Sequence, residues 1–80
     1  MLERFTYRGY EVEIEASARE PDASGAKVLV GMSIVRRRDG EVLFRERPIR
    51  MLPAGVAITP ERAIEYRRDE ARRRIDGALA

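Results

Sequence analysis

Cysteine, histidine and tryptophan are absent from the chain, and lysine occurs once. Without cysteine there is neither a disulfide framework nor a thiolate metal site. Without histidine, the usual general base near neutral pH and the commonest nitrogen ligand for a metal are missing. That inventory excludes most Ser-His and Cys-His mechanisms and the usual zinc sites. No apolar run approaches the roughly 20 residues of a membrane-spanning helix, and the opening Met1-Leu2-Glu3-Arg4 has no signal-peptide h-region. The expectation is a cytoplasmic, bacterial-type protein and not an enzyme, with no catalytic residue, no metal and no cofactor assigned.

What the chain does have is charge. Fifteen arginines and one lysine stand against ten glutamates and four aspartates, for a net charge of +2. The preference for arginine fits bidentate contacts to phosphate or carboxylate, but GC-rich coding accounts for it more simply. The charge is also uneven: residues 1 to 35 hold four bases and six acids, whereas residues 36 to 80 hold twelve and eight. Eighty residues make one domain, 1–80, near the lower size at which a single core folds without staples.

The stretch from Thr59 to Leu79 carries helix signals throughout. Thr59 is an N-cap candidate, Pro60 suits the first helical position, and Glu61 complements the positive helix end. At 100° per residue, Ile64, Ala71, Ile75 and Ala78 share one stripe with Leu79 at its margin, so one face is apolar. Asp69 with Arg73 and Glu70 with Arg74 are spaced i to i+4, acid first. Arg68 projects beside the stripe and either runs its stem along the core edge with its head in water, which is the expectation, or binds something there. Tyr66 projects outward among Arg62, Asp69 and Arg73.

Upstream the period is two. Phe5, Tyr7, Tyr10, Val12, Ile14, Ala16 and Ala18 alternate, with one phase break at Arg8-Gly9 that marks a turn or bulge. Tyr10, Val12, Ile14 and Ala16 are expected in the core, with Glu11, Glu13 and Glu15 on the other face. Arg19 to Gly25 reads as a connecting loop. Ala26 to Arg36 is a second strand, with Val28, Val30, Met32 and Ile34 inward and Lys27, Leu29, Gly31, Ser33 and Val35 outward. Asp39-Gly40 marks the next reversal. A three-residue loop, Arg38-Asp39-Gly40 with Gly40 left-handed, sets Phe44 opposite Ile34. The third strand, Glu41 to Arg47, then sends Val42 and Phe44 inward and Leu43, Arg45 and Arg47 outward. Pro48 ends the strand or confines it to an edge, and Pro48 to Ile58 reads as an apolar, irregular connection. The fold expected is α+β: an antiparallel meander of three strands, or four if Phe5 to Tyr7 pairs separately, with one C-terminal helix on one face.

Tyr7-Arg8-Gly9-Tyr10-Glu11-Val12, the Asp39-Gly40 hairpin, and Thr59 with Ala63, Ala71 and Ile75-Asp76 give the chain its resemblance to a family. It resembles small uncharacterised bacterial domains built as a sheet plus one C-terminal helix. That resemblance implies the fold but no activity and no functional residue. Three strands and a helix are also similar to part of the double-stranded RNA-binding domain, from which the chain departs in having no helix ahead of its first strand.

Two surfaces are candidates for function. On the outward sheet face, Glu11, Glu13 and Glu15 make an acidic border and Leu29 and Val35 an apolar centre. Leu43, Arg45 and Arg47 make the opposite border, basic in its two arginines. Such a surface complements itself about a two-fold axis and points to a homodimer; the alternative is a monomer whose Glu and Arg rows pair across the central strand. The second candidate is a phosphate-binding footprint, in which Arg36, Arg37 and Arg38 at the hairpin tip join Arg62, Arg67, Arg68, Arg72, Arg73 and Arg74 of the helix, with Tyr66 exposed among them; Arg62, Tyr66 and Arg73 are its chosen helical contacts. The function expected is a non-enzymatic interaction module that self-associates through the open sheet face, with nucleic-acid binding as the alternative.

Overall fold

Arg8 and Gly9 both adopt positive φ, 46° and 85°, and turn the first alternating segment back on itself so that Tyr7 faces Tyr10. A two-residue turn of that handedness matches the right-handed twist of the strands it joins. The first third of the chain is therefore two strands. The computed structural model describes residues 1–22, 25–50 and 59–80. It contains β1 (Leu2–Tyr7), β2 (Tyr10–Asp22), β3 (Gly25–Arg36), β4 (Val42–Arg50) and α1 (Pro60–Leu79). The strands form one antiparallel meander in the order β1-β2-β3-β4, with α1 packed on one side. The fold is α+β, with Phe5 to Tyr7 in a strand of its own.

The helix side of the sheet holds the core. Tyr10, Val12, Ile14 and Ala16 of β2 and Val28, Val30, Met32 and Ile34 of β3 are buried under Ala63, Ile64, Ala71 and Ile75 of α1. Phe5, Tyr7 and Phe44 pack at its margins. Each branched side chain fully removed from water contributes about 1.5–3 kcal/mol, and nearly the entire apolar phase of the two central strands is spent on this one layer. Thr59 caps the helix as expected: its Oγ1 accepts from the Arg62 N–H at 3.2 Å, with Pro60 next.

The strand ends differ from expectation. Of the expected loop Arg19 to Gly25, Arg19 to Asp22 belong to β2 and Gly25 to β3, with a register irregularity between Arg19 and Asp22, and residues 23 and 24 lie outside the described residues. Extended antiparallel pairing satisfies the backbone groups that a loop would leave to water, and Pro21 falls at the irregularity, where a missing N–H is tolerated. The expected pairing of Phe44 with Ile34 is present, but it is reached by another route. The turn closes from Arg36 to Glu41, with the Gly40 N–H on the Arg36 carbonyl at 2.8 Å and Gly40 at φ 74°. Val42 then pairs with Val35, and Leu43 is an extra residue before the Ile34–Phe44 pair. That bulge reverses the phase, so Val42 lies on the open side and is exposed, where the inward position had been expected.

A second bulge sits at Arg47–Pro48, opposite Gly31, and β4 runs on as an edge strand to Arg50. Here glycine is required by space: a Cβ at position 31 would lie 2.9 Å from the Pro48 nitrogen and 3.1 Å from the Glu46 carbonyl oxygen, both backbone. Of the expected connection Pro48 to Ile58, Pro48 to Arg50 belong to β4 and residues 51–58 lie outside the described residues.

On α1 the stripe is displaced. Ala78 and Leu79 are exposed, while Ala63 and Arg67 take buried places. Asp76 bonds to Tyr7 and Arg8 at the β1–β2 turn, so the residues after it run past the end of the sheet and have nothing to cover. Arg68 does not end in water: it grips Glu3 through two hydrogen bonds of 2.9 and 2.6 Å. Arg68 accordingly holds the Glu3 carboxyl below its ordinary value. Asp76 is lowered in the same way by Arg8 and then by the Tyr7 hydroxyl. Glu70 pairs with Arg74 at 3.3 Å as expected, whereas Asp69 reaches Arg72 at 3.6 Å in place of Arg73.

Candidate functional site

On the side of the sheet away from α1, the register sets the residues in rows. Thr6, Glu11, Val35 and Val42 form one row, and Arg4, Glu13, Ser33 and Arg45 the next. A third runs from Leu2 through Glu15 to Gly31, ending at the Arg47–Pro48 bulge, and Leu29 lies beyond Gly31 on β3 between Ser17 and Arg50. Glu11, Glu13 and Glu15 therefore share one column and Arg45 and Arg47 lie in another, with β3 between them. The glutamates are not the border of the sheet, however. β1 lies outside them, and Arg4 donates to Glu13 at 2.9 Å. Leu43 is the unpaired residue of the bulge, so it does not stand in line with Arg45. Leu2 and Val42 join Leu29 and Val35 as the apolar residues of this face; Val42 was misplaced because a bulge leaves no trace in alternation.

The glutamate and arginine columns do not neutralise one another. Among the described residues no ion pair joins Glu11, Glu13 or Glu15 to Arg45 or Arg47, and Glu13 is taken by Arg4. The gap between the columns follows from β3: Gly31 has no side chain and Ser33 a short one. A notch of about 210 Å³ opens there, with Glu13 and Glu15 on one wall, Arg45, Arg47 and Pro48 on the other, and Ser33 between. Two columns of opposite charge are thus held apart by the width of one strand, with Glu13 engaged by Arg4 on its other side.

The arginine set divides. Arg36 is consumed at the tip of the β3–β4 hairpin, where it binds Asp39 through two bonds of 3.0 and 2.7 Å and also contacts Glu41. Arg37 and Arg38 are exposed on the turn. Arg73 is exposed near the C-terminal end of α1, whereas Arg62 lies eleven residues earlier, about 16 Å along the axis. Tyr66 lies between them and is 55% exposed, so it belongs to no packed cluster. Arg67, expected among the helical arginines of the footprint, is instead almost fully buried between Glu46 and Glu70 at 2.5 and 2.9 Å. The available signal was Glu46: it sits on the inward phase of β4 two residues after Phe44, and an inward carboxylate needs a cation.

Asp39 gives a pH test of the hairpin tip. The bonds from Arg36, and then the Glu41 N–H at 3.1 Å, lower its pKa from 3.8 to about 2. Because the folded value lies below the unfolded one, this contribution to stability is complete above the unfolded pKa and is lost as pH falls through about 2. The side-chain carboxyl resonance of Asp39 should titrate with a midpoint near 2. A midpoint at 3.8 would show that Arg36 does not hold it.

Among the described residues no group of three acidic side chains converges to hold a metal ion, and no helix is long and apolar enough to cross a membrane. Comparison with protein-family models, curated proteins and solved structures finds no match.

Proposed function

We propose that the chain is a non-enzymatic interaction module, cytoplasmic and of bacterial type, that pairs with a second copy of itself through the open side of its sheet. The observation that carries this reading is the pair of oppositely charged columns on either side of β3, which no ion pair among the described residues joins to each other. A two-fold axis along β3 lays the Glu13 and Glu15 column of one copy over the Arg45 and Arg47 column of the other, twice. The same rotation stacks Leu29 on Leu29 and Val35 on Val35, so the apolar centre is buried while the charges pair at its flanks. Gly31 and Ser33 let the two β3 strands approach in the middle.

The absence of histidine and cysteine favours a binding role over a chemical one. So does the direction of the carboxylate shifts: Glu3, Asp39 and Asp76 all move down, each held by an arginine, the reverse of what a general acid near neutral pH needs.

Light scattering across a dilution series is expected to return twice the 9.2 kDa chain mass, falling toward one chain on dilution. Leu29→Arg removes two leucines from the contact and sets two cations against each other. The lost burial alone is about 3 kcal/mol per dimer, more than a hundredfold in the dissociation constant. The variant should be a folded monomer by circular dichroism. A native chain that is monomeric throughout, or a variant that still dimerises, would refute this interface.

A further inference from the structure

Two runs of three arginines, Arg36 to Arg38 and Arg72 to Arg74, lie 36 positions apart in the chain, and the fold brings them to one end of the molecule. The Arg37 N–H donates to the Gly9 carbonyl at 3.0 Å, which ties the β3–β4 turn to the β1–β2 turn. The Tyr7 hydroxyl and Arg8 Nη1 bond to Asp76 at 2.9 and 2.8 Å, which ties the β1–β2 turn to the end of α1. Residues 7–10, 36–41 and 72–76 together hold seven arginines against three carboxylates, leaving nine bases and eleven acids in the rest of the chain. A protein of net charge +2 is therefore polarised, with its positive charge gathered at this end.

The three carboxylates there are already engaged. Asp39 and Glu41 bind Arg36, and Asp76 binds Arg8. Arg37, Arg38 and Arg73 are exposed and have no ion pair among the described residues. Arg74 is held against the Phe44 ring at 3.9 Å from its centre and pairs with Glu70 at 3.3 Å, and Arg72 lies over Phe5 and Tyr7 at 5.8 and 6.0 Å and reaches Asp69 at 3.6 Å. These rings restrain the two guanidinium groups, which stay half-exposed. A restrained guanidinium loses less freedom on binding and presents a planar fork that matches a phosphate.

We infer that this end of the molecule binds the phosphodiester backbone of nucleic acid. The unpaired guanidinium groups stand on two separate elements, so a polymer with a charge at every step meets them together, where one small anion would engage only one. Arg72 and Arg74 already lie over the Phe5, Tyr7 and Phe44 rings at this end, so these rings are not free to stack on a base. The contact is accordingly to backbone and independent of sequence. It does not depend on the sheet-face dimer and uses none of its residues.

The test is fluorescence anisotropy with labelled short duplexes of mixed sequence, one DNA and one RNA, alongside phosphatidylserine vesicles. With three phosphates engaged, affinity for a duplex should fall about fortyfold between roughly 50 and 200 mM salt. The triple variant Arg37→Ala, Arg38→Ala, Arg73→Ala should bind at least tenfold more weakly at low salt, with a flatter salt dependence. The corresponding triple change to lysine should recover most of the binding. Arg62→Ala, which removes an exposed arginine near the opposite end of α1, should leave it unchanged. Absence of salt-dependent binding to either duplex would overturn the inference, as would an equal loss in the Arg62→Ala control. Stronger binding to the vesicles than to both duplexes would assign this end to a membrane surface instead.

Discussion

Ile75→Ala is expected to lower stability by about 4 kcal/mol. Ile75 is fully buried and among the largest fully buried side chains, and it lies in the last stretch of α1 that still covers the sheet. Truncation removes its transfer free energy and leaves a cavity between helix and sheet that a layer one helix deep can fill only by moving α1. A domain of this length has roughly 4–12 kcal/mol in all, so a third or more of the total rests on this contact. In urea, at about 1 kcal/mol per M for a chain this small, the midpoint should fall by about 4 M or folding should be lost outright. Ile75→Val supplies the graded control, at about 1 kcal/mol. A shift for alanine no larger than for valine would mean that α1 is not docked as described.

Arg67→Ala should cost about 3 kcal/mol, for a different reason. The side chain of Arg67 is 9% exposed, and two of its nitrogens bind Glu46 and Glu70, while its Nε is buried without a hydrogen-bond partner among the described residues. Removing the cation leaves Glu46, which faces the helix from β4, with no partner in a partly dry site. Glu70 keeps only Arg74 at 3.3 Å. Arg67→Met retains the apolar stem and should cost less than alanine. Arg67→Met combined with Glu46→Leu should recover stability, because removing both charges removes the desolvation cost as well. The decisive comparison is Arg67→Met with and without Glu46→Leu in the same urea titration. If the second change lowers the midpoint further, the pair does not act as a buried ion pair.

Where sequence reading succeeded and where it failed follows the range of the signals. The cap at Thr59 and the start of α1 were legible because threonine, proline and glutamate act on backbone groups within one turn of themselves. The facing of β2 and β3 was legible because side chains in an extended chain alternate regardless of what lies beside them. In β4 the facing of Phe44 and Arg45 was legible in the same way, but that of Val42 was not, because it depends on a bulge at Leu43, and that bulge exists to reconcile the turn with the pairing of Ile34 and Phe44. Loop-forming residues from Arg19 to Asp22 were overruled by continued strand pairing, a contribution that comes from the neighbouring strand. The candidate face was half legible: its residue columns follow from alternation. That Arg4 takes Glu13, and that no pair closes across Ser33, required the place of β1 and the distance across β3.

Local sequence accounts for the chemical inventory, without histidine or cysteine, together with the capped helix, the turns at Arg8-Gly9 and Asp39-Gly40, and the two phases of the central strands. Each of these acts over a few residues and is set by covalent geometry and local hydrogen bonding. Only the tertiary structure decided which charges are spent and which are left. Glu3 and Arg68 are 65 positions apart and Tyr7 and Asp76 are 69 apart, and Arg67 finds Glu46 across the sheet edge. An arginine bound to a carboxylate and an arginine facing solvent are spelled alike. What separates them is the register of four strands and the rotation of one helix, which nothing local encodes.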